Sequence, residues 1–137
     1  MIQAPARSLR LTSPPGDVDA VHALLEGLWA EAPEVSARDR FSFETALIEL
    51  AANVIRHADP GCGVTCTLTV GISDNRMEAL LLDTGQPGEL ELVGATMPDG
   101  EAESGRGIPL IQALVTELEY VREGNLNRWQ MSRLIGS

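Results

Sequence analysis

Between Phe41 and Ala58, the residues Phe43, Ala46, Leu47, Leu50, Ala51 and Val54 recur at three- and four-residue steps. That spacing marks one buried stripe and predicts an amphipathic helix as the central element of the chain. Glu49 and Asn53 stand four apart on one face of it, with Arg56 and His57 a turn further on. Asparagine is a poor helix former because its amide competes for backbone groups, so an Asn in mid-helix asks for a reason. A carboxylate that can take a proton, beside an amide oxygen that can hold a hard cation, is one such reason. A solvated helix face is the plainer reading of the pair taken alone.

The chain has 137 residues, 44% of them hydrophobic and 22% charged, which suits a globular protein with one sizeable core. No apolar run reaches the length of a membrane span, and the N-terminus lacks the charged-then-apolar build of a secretory signal, so a cytoplasmic protein is expected. Acidic residues outnumber basic ones 20 to 10, for a net charge of −10. That balance opposes non-specific binding to nucleic acid or anionic lipid and suits a basic protein partner. The sequence contains no lysine, which excludes a lysine-dependent phosphate-binding loop. Cys62 and Cys66, with only His22 and His57 elsewhere, are too few and wrongly spaced for a structural zinc site; free thiols are expected.

In chain order, Ser8–Thr12 alternates as an edge strand, and Asp17 caps a helix to about Ala32 that presents Val18, Val21, Leu24, Leu25 and Leu28. Ser36 with Asp39 resembles a helix-capping pair ahead of the central helix. Asp59-Pro60-Gly61 ends that helix. Strands follow at Val64–Ile72 and Met77–Leu82, the latter expected to be buried on both faces because Leu80, Leu81 and Leu82 are consecutive. Gly85–Gly105 is a long glycine-rich loop, of a length that is usually functional. A helix is expected over Ile108–Leu118, with Pro109 in its first turn, then a hairpin of Glu119–Arg122 and Arg128–Leu134 around Gly124-Asn125. No repeat or linker divides residues 1–137. The expected fold is α+β: a two-layer sandwich with a mixed, mainly antiparallel sheet and helices on one face.

Two further stretches carry chemistry. Asp83, at a strand end beside Gly85, can accept a hydrogen bond from an exocyclic amine such as that of adenine, and Gly85 leaves room for a flat base. A turn Asp bonding its own backbone is the plainer alternative. Gly105 and Gly107, at a helix start, leave N–H groups free to meet an anion, and Arg106 between them can reach a phosphate or stay solvated.

The ordered set resembles the Bergerat-fold (GHKL) ATPases, whose boxes are E-x-x-x-N on a helix, D-x-G after a strand and G-x-G at a helix start. Here these are Glu49/Asn53, Asp83/Gly85 (with Pro87) and Gly105/Gly107. Phe43–Ala58, with His57 four after Asn53, looks like the version found in small bacterial anti-sigma factor serine/threonine kinases. The lone ATPase domain and the short lid point the same way.

The resemblance implies a kinase that uses ATP and Mg²⁺ to phosphorylate a Ser or Thr of an anti-sigma-factor antagonist of the STAS type. It also implies that the kinase sequesters a sigma factor and forms a homodimer, with no direct contact to nucleic acid or membrane. By the same resemblance Glu49 is the general base, Asn53 the Mg²⁺ ligand, Asp83 the adenine contact and Gly85 the opening for the base. Gly105, Arg106 and Gly107 lie near the phosphates. His57 is read as structural, and Trp29 and Trp129 as core or interface residues. The acidic stretch Asp99–Glu103 would sit close to a polyanion, which keeps two other readings open: a partner-switching module with little kinase activity, and a detached histidine-kinase catalytic domain.

Overall fold

The computed structural model describes residues 6–13, 17–57, 63–73, 75–85 and 103–136. They form β1 (Ala6–Ser13), α1 (Val18–Glu31), α2 (Ala37–His57), β2 (Val64–Ser73), β3 (Arg76–Asp83), α3 (Glu103–Leu114), β4 (Glu117–Glu123) and β5 (Leu126–Leu134). The strands make one sheet in the order β1-β2-β3-β5-β4, so β1 is the edge its pattern predicts. All four pairings are antiparallel. β3 and β4 run the same way, but β5 lies between them, so no parallel pair forms among the described strands.

The stripe on α2 is the centre of the core. Phe43, Ala46 and Leu47 are 0% exposed, and Leu50, Ala51 and Val54 are nearly so. They pack with Val21, Leu25 and Leu28 of α1, Ile111 of α3 and the alternating inward residues of β2, β3 and β5. The described helices cover one face of the sheet. Leu81 is therefore buried, while Leu80 and Leu82 are half-buried on the other face. The apolar run of β3 is thus not buried on both sides, because among the described residues no second layer covers the opposite face.

α2 begins earlier than its stripe. The Asp39 N–H donates to Ser36 Oγ at 3.1 Å, so the capping pair forms and starts the helix at Ala37. α3 departs further from expectation: it begins at Glu103 and ends at Leu114. Gly105 and Gly107 lie inside its first two turns, and Pro109 is interior rather than in the first turn. Packing on α2 and burial of Ile111 outweigh the low helix propensity of the glycines. The helix stops where the Val115 N–H makes the last helical bond, to Ile111 O, and the Thr116 N–H turns to Ser132 O at 2.8 Å. Glu117 and Leu118 thereby join β4. Gly124 turns the hairpin with φ +59°, where a side chain would be strained.

One buried ion pair fixes the direction of the helices. Arg133 on β5 donates from Nε and Nη2 to Asp39 Oδ1 at 3.1 and 3.0 Å, and from Nη1 to the Leu114 carbonyl at 2.8 Å. The start of α2 and the end of α3 are thus tied to one end of the sheet. At the other end of the same strand, Asn127 pairs with Asp83. α2 has 21 residues and spans about 30 Å at 1.5 Å per residue, roughly the length of the strands beneath it. Its last turns therefore reach the Asp83 end, and the first turn of α3 lies at that end too.

Candidate functional site

Asp83 stands at this end of the sandwich, and the last turns of α2 and the first turn of α3 run toward it. Asn53, in the penultimate turn of α2, is 8% exposed, so the solvated-face reading does not describe it. Its Nδ2 is buried without a hydrogen-bond partner, and its Oδ1 accepts from Arg56 Nη2 at 2.6 Å. Glu49, one turn earlier, is half-buried and has no hydrogen-bond or ion partner among the described residues. A buried amide whose oxygen already attracts a guanidinium is a favourable place for a hard cation once that guanidinium moves aside. Mg²⁺ keeps most of its waters and takes few protein ligands, so the residues present fit it.

Asp83 ends β3 and is 0% exposed. Its Oδ1 accepts from the Gly85 N–H at 2.9 Å and from Asn127 Nδ2 at 2.8 Å, and its Oδ2 accepts from Trp129 Nε1 at 3.1 Å. The turn bond to Gly85, one of the two readings open from sequence, is therefore present. Gly85 is itself buried, and its carbonyl accepts from Arg122 Nη1 at 2.9 Å. Asn127 Oδ1 accepts from Tyr120 Oη and from Arg122 Nη1 at 3.1 Å, while the Tyr120 and Trp129 rings stack at 4.4 Å. The β4–β5 hairpin thus builds a polar cradle around residues 83–85. No motif announces Asn127 and Trp129. Only the register, with Asp83 opposite Asn127 and Leu81 opposite Trp129, brings them to the carboxylate.

The backbone of Gly105–Gly107 lies in the opening turns of α3, at the same end. The side chains of 57 and 103–108, and residues 58–62 and 86–102 altogether, fall outside the described residues. The expectations for His57, Arg106, Cys62, Pro87 and the acidic stretch Asp99–Glu103 lie there. Cys66, across from Asp83 on β2, is a free buried cysteine. Burial and the neighbouring Asp83 charge push its thiol up to about 12 from an ordinary 9.0. At pH 8 it is therefore un-ionised, and we expect no maleimide modification of Cys66 in the native protein and full modification once unfolded. Mass spectrometry of digests checks this.

The sequence matches the histidine kinase-like ATPase domain over residues 11–133. The chain belongs to that family. Among solved structures, this ATPase domain resembles the RsbU and RsbW domains of a Mycobacterium tuberculosis protein. The TM-score is 0.63 at 19% identity, with 96% of this chain and 34% of that one covered. It also resembles the histidine kinase domain of a blue-light activated histidine kinase from Erythrobacter litoralis (TM-score 0.54, 16% identity, 72% and 45% covered). The Acinetobacter baumannii histidine kinase AdeS aligns with a TM-score of 0.50 at 15% identity, over 96% and 70% of the two chains. The ATPase domain thus spans less than half the length of the first two. No curated protein matches the sequence. No described helix is long and apolar enough to cross a membrane.

Proposed function

We propose that the chain is a serine/threonine kinase domain of the GHKL type. It would phosphorylate a STAS-type anti-sigma-factor antagonist and, as a cytoplasmic homodimer, sequester a sigma factor. The observation that carries this reading is the match to the histidine kinase-like ATPase domain over residues 11–133, supported by the burial of Asn53 on α2 and Asp83 at the end of β3. The partner assignment draws on the likeness to a structure that contains an RsbW domain.

In this reading Asn53 Oδ1, which now accepts from Arg56 Nη2, would hold Mg²⁺, and the ion would supply positive charge for phosphoryl transfer. Asp83 accepts from the 6-amino group of adenine, and Gly85 leaves space for the ring. The N–H groups of the first turn of α3 meet the phosphate tail with the helix dipole behind them, and Arg106 adds charge there. Glu49 takes the proton of the substrate hydroxyl as its oxygen attacks the γ-phosphorus. The bond from that phosphorus to the β–γ bridging oxygen breaks, and ADP leaves.

Two of the similar structures are histidine kinases, which supports a second reading: a detached catalytic domain acting on a separate phosphoacceptor. Incubation with γ-labelled ATP and a STAS-type antagonist separates the readings. Acid-stable label on Ser or Thr of the antagonist is the expected result. An acid-labile, base-stable product on a histidine protein supports the second reading, and an unlabelled antagonist leaves a partner-switching module without transfer.

A further inference from the structure

We infer that Asn127 and Trp129 are positioning residues for base selectivity, fixing the orientation of the Asp83 carboxylate so that its remaining lone pair meets the base. The inference rests on the adenine reading of Asp83 and adds the groups that enforce it. A carboxylate offers about four lone-pair sites. Three of those on Asp83 face the donors of Gly85, Asn127 and Trp129, so one is left, on Oδ2. Every described contact to Asp83 is a donor.

The amide of Asn127 is held in one orientation. Its oxygen accepts from Tyr120 and Arg122, which leaves its nitrogen to face Asp83. The indole of Trp129 is fixed by its stack on Tyr120. Among the described residues, the other ionisable groups around this carboxylate are Cys66 from β2 and Tyr120 and Arg122 from β4. Arg122 binds the Gly85 carbonyl rather than the acid itself. The free lone pair therefore accepts a 6-amino group and repels a 6-oxo group. Adenine is accepted, and a 6-oxopurine sets acceptor against acceptor.

The test is calorimetric binding of ATP and ITP, which differ at the 6-position, in the presence of Mg²⁺. Trp129→Phe removes the indole N–H while keeping a ring on Tyr120, and Asn127→Ser shortens the second donor. Each is expected to lower the ATP-over-ITP preference about tenfold, the value of one charge-assisted hydrogen bond, with ITP affinity little changed. A purely structural role would weaken both nucleotides together. If both variants keep the wild-type preference while Asp83→Asn loses it, Asp83 reads the base without the hairpin and the inference is overturned. If Asp83→Asn keeps it as well, or the wild type binds no ATP, the adenine reading itself fails and takes the inference with it. In the wild type, where no folding defect intervenes, saturating ATP is expected to shift one of the two indole N–H resonances. Two unmoved indoles overturn the inference.

Discussion

Glu49→Ala is expected to lower phosphoryl transfer by about 10²- to 10⁴-fold, the usual contribution of a general base, while nucleotide affinity stays unchanged. Glu49 is half-buried with no described partner to lose, so the substitution leaves no unpaired group behind and the fold stands. The amide of Asn53, one turn on, is buried instead, and Asn53→Ala should remove Mg²⁺-dependent binding itself. Single-turnover labelling of the antagonist beside calorimetric binding separates the two effects. Full transfer by Glu49→Ala would refute its assignment as the base.

The second large effect is on stability. Asp39 and Arg133 are 3% and 8% exposed, and removing one partner of a buried pair leaves the other charge uncompensated, at a cost of about 3–5 kcal/mol. Asp39→Ala strands the Arg133 guanidinium and also frees the Gly136 N–H, which Asp39 Oδ2 accepts at 2.9 Å. Against a typical stability of about 5–15 kcal/mol, much of the margin goes. Replacing both partners with apolar residues should recover part of it.

The same pair sets the acid limit. Burial raises the Asp39 carboxyl, but the Gly136 N–H, Arg133 and the Ser36 hydroxyl together hold it below its ordinary 3.8. A group depressed in the folded state adds stability that is complete above its unfolded value and lost as pH falls through its folded value. The wild-type advantage over Asp39→Asn should therefore be full above about pH 4 and shrink below it. Urea titrations of both proteins across that range measure the difference.

What the sequence shows of this molecule depends on how far apart the interacting residues lie. The stripe of α2, the Asp17 and Ser36 caps and the edge position of β1 follow from local spacing. The three motif stretches are local patterns of the same kind. Asp39 was legible as a capping residue, but its partner Arg133 lies 94 residues away, and nothing near either residue signals the pair. Asn127 and Trp129 were hidden likewise, because only strand register carries them to Asp83. The start of α3 was misplaced because glycine propensity is a local quantity, and packing on α2 overrode it.

The central claim is that the Asp83 end of the sandwich takes a magnesium-chelated adenine nucleotide. It is tested most directly by the melting temperature of the wild-type protein in rising ATP, with Mg²⁺ and with EDTA. A ligand that binds only the native state stabilises it by about 2.7 kcal/mol at a hundredfold excess over Kd. The account predicts a rise of several degrees that requires both ATP and the metal and vanishes in Asn53→Ala. A melting temperature that ATP and Mg²⁺ leave unchanged would contradict it.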